Sequence, residues 1–338
     1  MTYYSALCLA MMFWGGSWVS AKILVTMAPP MTIGFFRFLV ASLLFVPLMI
    51  GQRTEWRRFF QKSNIVLMLL LGLTGIFGYG VLFLNGLRFT TSAQGAIIAG
   101  ISPATVSLFA HLFHKERLGR RVYYSGFVIS FVGVMFVIGV QSLIDFQFSH
   151  LIGNLILVAA MVLWGLYSSL AKLTTERLSA TEAAFGGFTF GALFFGVGSL
   201  FEGFWQSPFI LDPTFWINIL YIGVLATFAA FMIYFKSLEF LGATRTGGFI
   251  NLVPVSGTLF AVVILTESMY WTFMIGLVFV VTGIYILNRP DPRMQESPGN
   301  GGQSMTIRTL TAFHGEVGCL LEESTKTVLE TCRECSSK

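Results

Sequence analysis

Long apolar runs separated by short polar breaks fill the chain up to about Asn288, and none shows the every-other-residue alternation of a half-buried strand. Ten runs stand out: Tyr4 to Thr26, Thr32 to Ile50, Asn64 to Gly86, Ala93 to His111, Val122 to Val140, Leu151 to Leu173, Ala183 to Phe201, Thr214 to Phe235, Thr246 to Leu265 and Trp271 to Leu287. At roughly 18–23 residues each, they are long enough to cross a hydrocarbon core of about 30 Å as helices. Backbone in lipid must satisfy its own hydrogen bonds, and a helix does so within one segment. The pattern therefore predicts an all-α polytopic membrane protein with ten transmembrane helices. The first run has no basic leader and reappears mid-chain, so it is expected to remain as a span rather than be cleaved.

The runs repeat. Ala10-Met11, Trp14-Gly15 and Ala21-Lys22 recur at the same spacing as Ala160-Met161, Trp164-Gly165 and Ala171-Lys172. Pro103 precedes Glu116 as Pro254 precedes Glu267, and Gly126/Gly133 match Gly276/Gly283. A fixed internal period sets the architectural unit, here five helices. The expected organisation is a first repeat over residues 1–140, a second over 141–288 and a tail over 289–338. Because each unit has an odd number of spans, the second must enter the membrane from the opposite side. Such inverted repeats are a known route to alternating access.

Charge adds an orientation. Arg53, Arg57, Arg58 and Lys62 follow the second span and Lys115, Arg117, Arg120 and Arg121 the fourth, whereas Asp145, Glu202, Asp212 and Glu267 lie in the opposite loops. Basic loops stay inside, so both termini are expected to be cytoplasmic. Only 11% of residues are charged and 55% are hydrophobic, against about 25% charged in soluble domains. The net charge of +5 is accounted for by these loops, and no basic stripe with interleaved aromatics points to nucleic acid. The tail begins with linker composition; Cys319, Cys332, Cys335 and His314 within it match no zinc-finger spacing, and no metal or cofactor is expected.

The candidate site lies where polar or aromatic groups fall mid-span. Trp14 and Trp164 carry indole donors that need partners, which fits the wall of a polar cavity; the alternative is packing beside Gly15 and Gly165. Ser17 shares a helical face with Trp14, and Tyr167 and Ser168 with Trp164. These can present hydroxyl and aromatic groups to one ligand, or the serines can bond their own backbone. Arg37 lies inside the second span, where a guanidinium is costly and marks function by default. It can clamp a carboxylate through its planar fork, or snorkel outward. The aligned stretch around Gly187 and Phe188 has no Arg.

Pro103 and Pro254 break the fourth and ninth spans and free carbonyls near Ala99 and Ile250. Flanked by small residues, they are the expected gating elements, with static kinking as the alternative. Asn251 is the central polar candidate, while Asn85 and Gln94 are expected near the external mouth. Tyr79 and Tyr234 either line the cavity or pack. The paired glycines suit close packing of spans five and ten, within a half or at a homodimer interface. Paired intramembrane carboxylates, His-Glu metal spacing and phosphate-cradling loops are missing, so an enzyme is not expected.

Two five-helix repeats with Trp-Gly in the first helix, Arg37-Phe38 in the second and Pro followed by Glu in the fourth resemble the EamA-type branch of the drug/metabolite transporter superfamily, from Met1 to about Asn288. The resemblance implies export or exchange of a small-molecule metabolite, such as an amino acid, across a cell inner (plasma) membrane. The substrate-binding set expected from the mid-span residues above is Trp14, Ser17, Arg37, Trp164, Tyr167 and Asn251. A non-transporting scaffold or receptor-like binding protein is the alternative; it expects a filled interior between the two tryptophans.

Overall fold

The computed structural model describes residues 2–52, 54–114, 148–206, 208–241, 249–250, 252–268 and 271–287, with short stretches between 125 and 136. The described elements are helices, with no strand among the described residues. Six are long and apolar enough to cross a membrane: Tyr3–Met27, Pro30–Gly51, Lys62–Phe89, His150–Thr175, Ala180–Phe201 and Pro213–Tyr234. Leu252–Leu265 and Trp271–Gly283 are shorter apolar helices. These eight fall on the expected spans one to three and six to ten. The fourth is divided into Ser92–Ile98, a 3-10 turn Ala99–Ile101 and Ser102–His114. Most of the fifth, and the tail from Pro290, lie outside the described residues.

Local chemistry sets where helices begin. Pro30 and Pro213 occupy first-turn positions that need no N–H. Ser179 and Glu182 form a reciprocal capping box, with Glu182 accepting from Ser179 N at 2.7 Å. The division of the fourth span has an equally local cause. Pro103 cannot donate back to the Ala99 carbonyl, the chain tightens into the 3-10 turn, and Ser102 Oγ donates to Ala99 O at 2.6 Å instead. Pro254 lies in the first turn of Leu252–Leu265, where Val253 N donates to Ile250 O at 3.0 Å. Both prolines thus stand near the start of an α-helical segment, not at the middle of a continuous one as the sequence suggested.

The third and eighth spans depart from α geometry in a way the sequence did not announce. Each contains a π-helical stretch, Gly72–Gly78 in the third and Tyr221–Ala229 in the eighth. A wider turn leaves backbone carbonyls without their usual partners and open to side chains of neighbours.

Side chains fix the relative directions of the helices. Glu202, at the end of the seventh, accepts from Met31 N (3.1 Å), Thr32 N (2.8 Å) and Thr32 Oγ1 (2.8 Å) at the start of the second. At the opposite ends, Arg58 pairs with Glu182 at 3.1 Å. The second and seventh helices are therefore antiparallel. Since the first ends at the start of the second and the sixth ends at the start of the seventh, the first and sixth also run in opposite directions. Packing follows the same exchange: the first span lies on the ninth as the fourth lies on the sixth, and the second packs against the seventh.

On the Glu202 face, Glu267 accepts from Ser92 N and Ala93 N, both at 2.8 Å. Preceding it, Thr266 has a φ of 52°, a left-handed conformation costly for a β-branched residue. Thr266→Gly is expected to raise thermal stability by about 1 kcal/mol, read as the melting temperature in detergent; a lowered melting temperature would argue that the threonine side chain itself holds this turn. Nearby, Lys22 Nζ donates to Leu87 O and Thr90 O at 2.6 Å each, closing the end of the third helix. Thr90 Oγ1 lies 2.6 Å from both Gln94 Oε1 and Asn154 Oδ1, and Asn154 Nδ2 donates to Gln94 Oε1 at 2.8 Å. Gln94 is thus a buried link between the fourth and sixth spans, not a mouth residue. Asn85 donates to its own helix at Val81 O.

The repeated glycines are contact points. A Cβ on Gly133 would approach Gly276 O at 2.7 Å, so spans five and ten pack on each other within one chain. Aromatic packing holds the second, seventh and eighth spans together, with Phe38 stacked on Phe188 and Phe195 at 5.8 and 5.9 Å and Phe45 edge-on to Phe228. Large apolar side chains such as Leu43, Val197 and Val263 are exposed on the outside of the bundle, where a bilayer is the fitting solvent.

Candidate functional site

Between the helices lies a cavity of about 480 Å³, within the range of small-molecule sites. Its wall takes Trp14, Ser17, Arg37 and Tyr79 from the first three spans and Trp164, Ser168, Thr227 and Pro254 from the sixth, eighth and ninth. Four of the six expected binding residues, Trp14, Ser17, Arg37 and Trp164, therefore meet in one space. Tyr167 packs its ring on Gly75 and lies 5.2 Å from Trp164, behind the wall rather than in it. Asn251 is outside the described residues.

Backbone geometry decides what each group offers. The Trp14 indole N–H donates to Ala226 O at 2.9 Å, a carbonyl of the π-helical stretch, so Trp14 presents its ring face and not its donor. Phe231 and Tyr234 surround it, each 5.4 Å away. Trp164 instead rests against Tyr79 at 5.3 Å, and its N–H has no hydrogen-bond partner among the described residues. Ser17 Oγ donates to Trp14 O at 2.6 Å and Ser168 Oγ to Trp164 O at 2.8 Å. The serines thus bond their own helices and face the cavity as acceptors.

Arg37 does not snorkel. Its Nε donates to Thr227 Oγ1 at 3.1 Å, and its Cζ lies 5.0 Å from the Phe38 ring centroid. Thr227 in turn donates its hydroxyl to Ile222 O at 2.7 Å, the carbonyl one π-helical turn back. Its lone pair is thereby aimed at the guanidinium. Thr227 escaped the sequence reading because it is one hydroxyl among many; that Ile76, at its place in the first repeat, is apolar was the available signal. Tyr79 lies on the wall, stacked on Phe83 at 5.6 Å. Groups of three or more metal-ligating side chains do not occur among the described residues.

A bundle of antiparallel apolar helices around a small-molecule cavity is transporter architecture in outline, and the comparisons with known proteins decide it. The EamA-like transporter family matches residues 1–139 and again 151–289. The chain belongs to that family. The uncharacterized transporter YetK of Bacillus subtilis is 27% identical over 293 residues, covering 85% of this chain and 86% of its own. An uncharacterized transporter of Archaeoglobus fulgidus is 27% identical over 287 residues, covering 83% and 95%. A solved crystal structure aligns with a TM-score of 0.61 over 88% of this chain and 99% of its own; at 18% identity this speaks for the fold alone. This EamA-family protein is thus a multi-pass membrane transporter, not an enzyme.

Proposed function

We propose that the protein is an alternating-access carrier built from two inverted five-helix repeats, residues 1–140 and 141–288, with both termini in the cytoplasm and the bundle in the plasma membrane. It exports or exchanges a small metabolite, such as an amino acid, through the central cavity. The observation that carries this is the cavity itself, walled by corresponding spans of both repeats, with Trp14 and Trp164 on it. The opposite directions of the first and sixth helices support inversion, and inversion lets the halves exchange conformations. A scaffold expects the tryptophans to meet in a filled interior, so a cavity between them favours the carrier.

Roles follow from position. Trp14 and Trp164 are the aromatic walls, Ser17 and Arg37 the polar recognition, and Asn251 a further polar contact adjoining Ile250, which is on the wall. Tyr167 supports Trp164 from behind. Pro103 and Pro254, at helix restarts, are the gating elements. The Glu202/Glu267 face is external and is the sealed end in this conformation, tied by the Lys22, Thr90, Gln94 and Asn154 contacts. Purified protein in vesicles preloaded with a broad metabolite panel is expected to accumulate the matching labelled solute by counterflow. Folded protein that moves none of them would refute the carrier.

A further inference from the structure

We propose that the solute held in this cavity is an organic monoanion, a carboxylate on an apolar body, and that its charge completes a site otherwise left with one unbalanced cation. The proposal rests on the carrier reading and narrows its substrate class, from small metabolites such as amino acids to solutes with a net negative charge.

The argument starts from Arg37. Thr227 occupies Nε alone, and the two terminal guanidinium nitrogens have no partner among the described residues. No acidic side chain is on the cavity wall among the described residues. Three buried or helix-end carboxylates among the described residues are committed elsewhere: Glu182 to Arg58 and its capping box, Glu202 and Glu267 to the starts of the second and fourth helices. Arg58 and Glu182 form an ion pair with each other, and Arg37 is a permanent charge in an apolar bundle with no counterion among the described residues. Such a charge is costly until it is paired and hydrogen-bonded.

Its presentation is that of a receptor. One edge of the planar guanidinium is anchored by Thr227, whose own direction is set by Ile222 O, and Phe38 supports its face. That leaves the fork formed by the terminal nitrogens, which matches two oxygens of a carboxylate. Trp164 adds an unused indole N–H on the same wall.

Charge balance then selects among solutes. A monoanion brings the loaded site to zero net charge. A zwitterion leaves it at plus one, a neutral amide does the same while offering a weaker acceptor, and a cation worsens it. Beyond the fork the wall is largely aromatic, through Trp14, Phe188 and Phe231. Trp14 has already given its N–H to Ala226 O, so this region offers apolar contact to the body of the solute.

The test uses full-length protein in detergent, with binding read as a shift in melting temperature, and in vesicles, with transport read as counterflow. Phenylacetate, benzoate and hexanoate are the anions, phenylacetamide the neutral isostere and L-phenylalanine the zwitterion. At least one anion is expected to stabilise the protein, with phenylacetamide and phenylalanine weaker by roughly tenfold to a hundredfold in half-saturating concentration. Arg37→Gln should abolish the anion shift, and Thr227→Val, which keeps the charge but removes the anchor at Nε that orients the guanidinium, should weaken it several-fold. No shift with any of the three anions, equal shifts with the amide or amino acid, or an undiminished shift in Arg37→Gln each overturn the proposal. Anion binding without counterflow of any solute leaves this site standing and overturns the carrier reading instead; counterflow of phenylalanine or phenylacetamide alone does the reverse.

Discussion

Alanine in place of both Gly15 and Gly165 is expected to lower the melting temperature sharply and to abolish counterflow. These glycines close the repeated Trp-Gly motifs, and the structure shows what each meets. A Cβ at Gly165 would lie 2.7 Å from Thr105 C and O, and one at Gly15 would lie 2.8 Å from Gly257 N. Backbone atoms stand among the obstructing ones at both sites, joined at Gly15 by the Ser256 side chain, and no rotamer change moves backbone aside. They also lie just beyond Pro103 and Pro254, so the glycines set the closest approach of the first helix to the ninth and of the sixth to the fourth. Overpacking of this kind costs about 1–3 kcal/mol per site, and separated sites add. Gly51, with nothing within 4 Å of its virtual Cβ, is the control and should tolerate alanine. A double variant as stable as wild type would mean that these contacts do not set the helix spacing.

Removing the carboxylates at Glu202 and Glu267 is the second large effect expected. Glu202 accepts three hydrogen bonds from the start of the second helix and Glu267 two from the start of the fourth, each joining a loop of the second half to a helix of the first. Hydrogen bonds to a charged group contribute roughly 1.5–3 kcal/mol, and about 1.4 kcal/mol shifts a two-state population tenfold. Glu202→Ala with Glu267→Ala should therefore open this face, exposing its backbone N–H groups to water. The readout is a cysteine at Ser168 on the cavity wall, in a background where Cys8, Cys319, Cys332 and Cys335 are serine. Its reaction with a membrane-impermeant thiol reagent from the Glu202/Glu267 side should rise at least several-fold. Unchanged labelling would mean that the seal lies in the Thr90, Gln94 and Asn154 contacts instead.

What could be read in the sequence, and what could not, divides along physical lines. Hydropathy marked spans because lipid constrains composition directly, and the Trp-Gly and Gly133/Gly276 motifs marked close approaches because small residues are what such contacts require. Arg37 stood out because a charge is conspicuous among apolar neighbours. Its partner did not: Thr227 is one hydroxyl among many, and its role depends on a π-helical stretch that leaves no mark in composition. Trp14 was expected to seek a polar partner in the cavity and found a carbonyl on that same stretch. Glu202 and Glu267 were visible only as loop charges that set orientation, since their helix partners are distant in sequence. The prolines were conspicuous in their spans, but whether a proline kinks a helix or stands where one restarts depends on the local hydrogen bonds, here that of Ser102 to Ala99 O.

Alternating access requires one cavity to open in turn to the two sides of the membrane. The same cysteine at Ser168, without the glutamate changes, reports this when labelled in right-side-out and inverted vesicles. Reaction from both sides is expected, with a bound solute altering the balance between them. Reaction from one side only, whatever solute is present and whether or not Glu202 and Glu267 are intact, would contradict it.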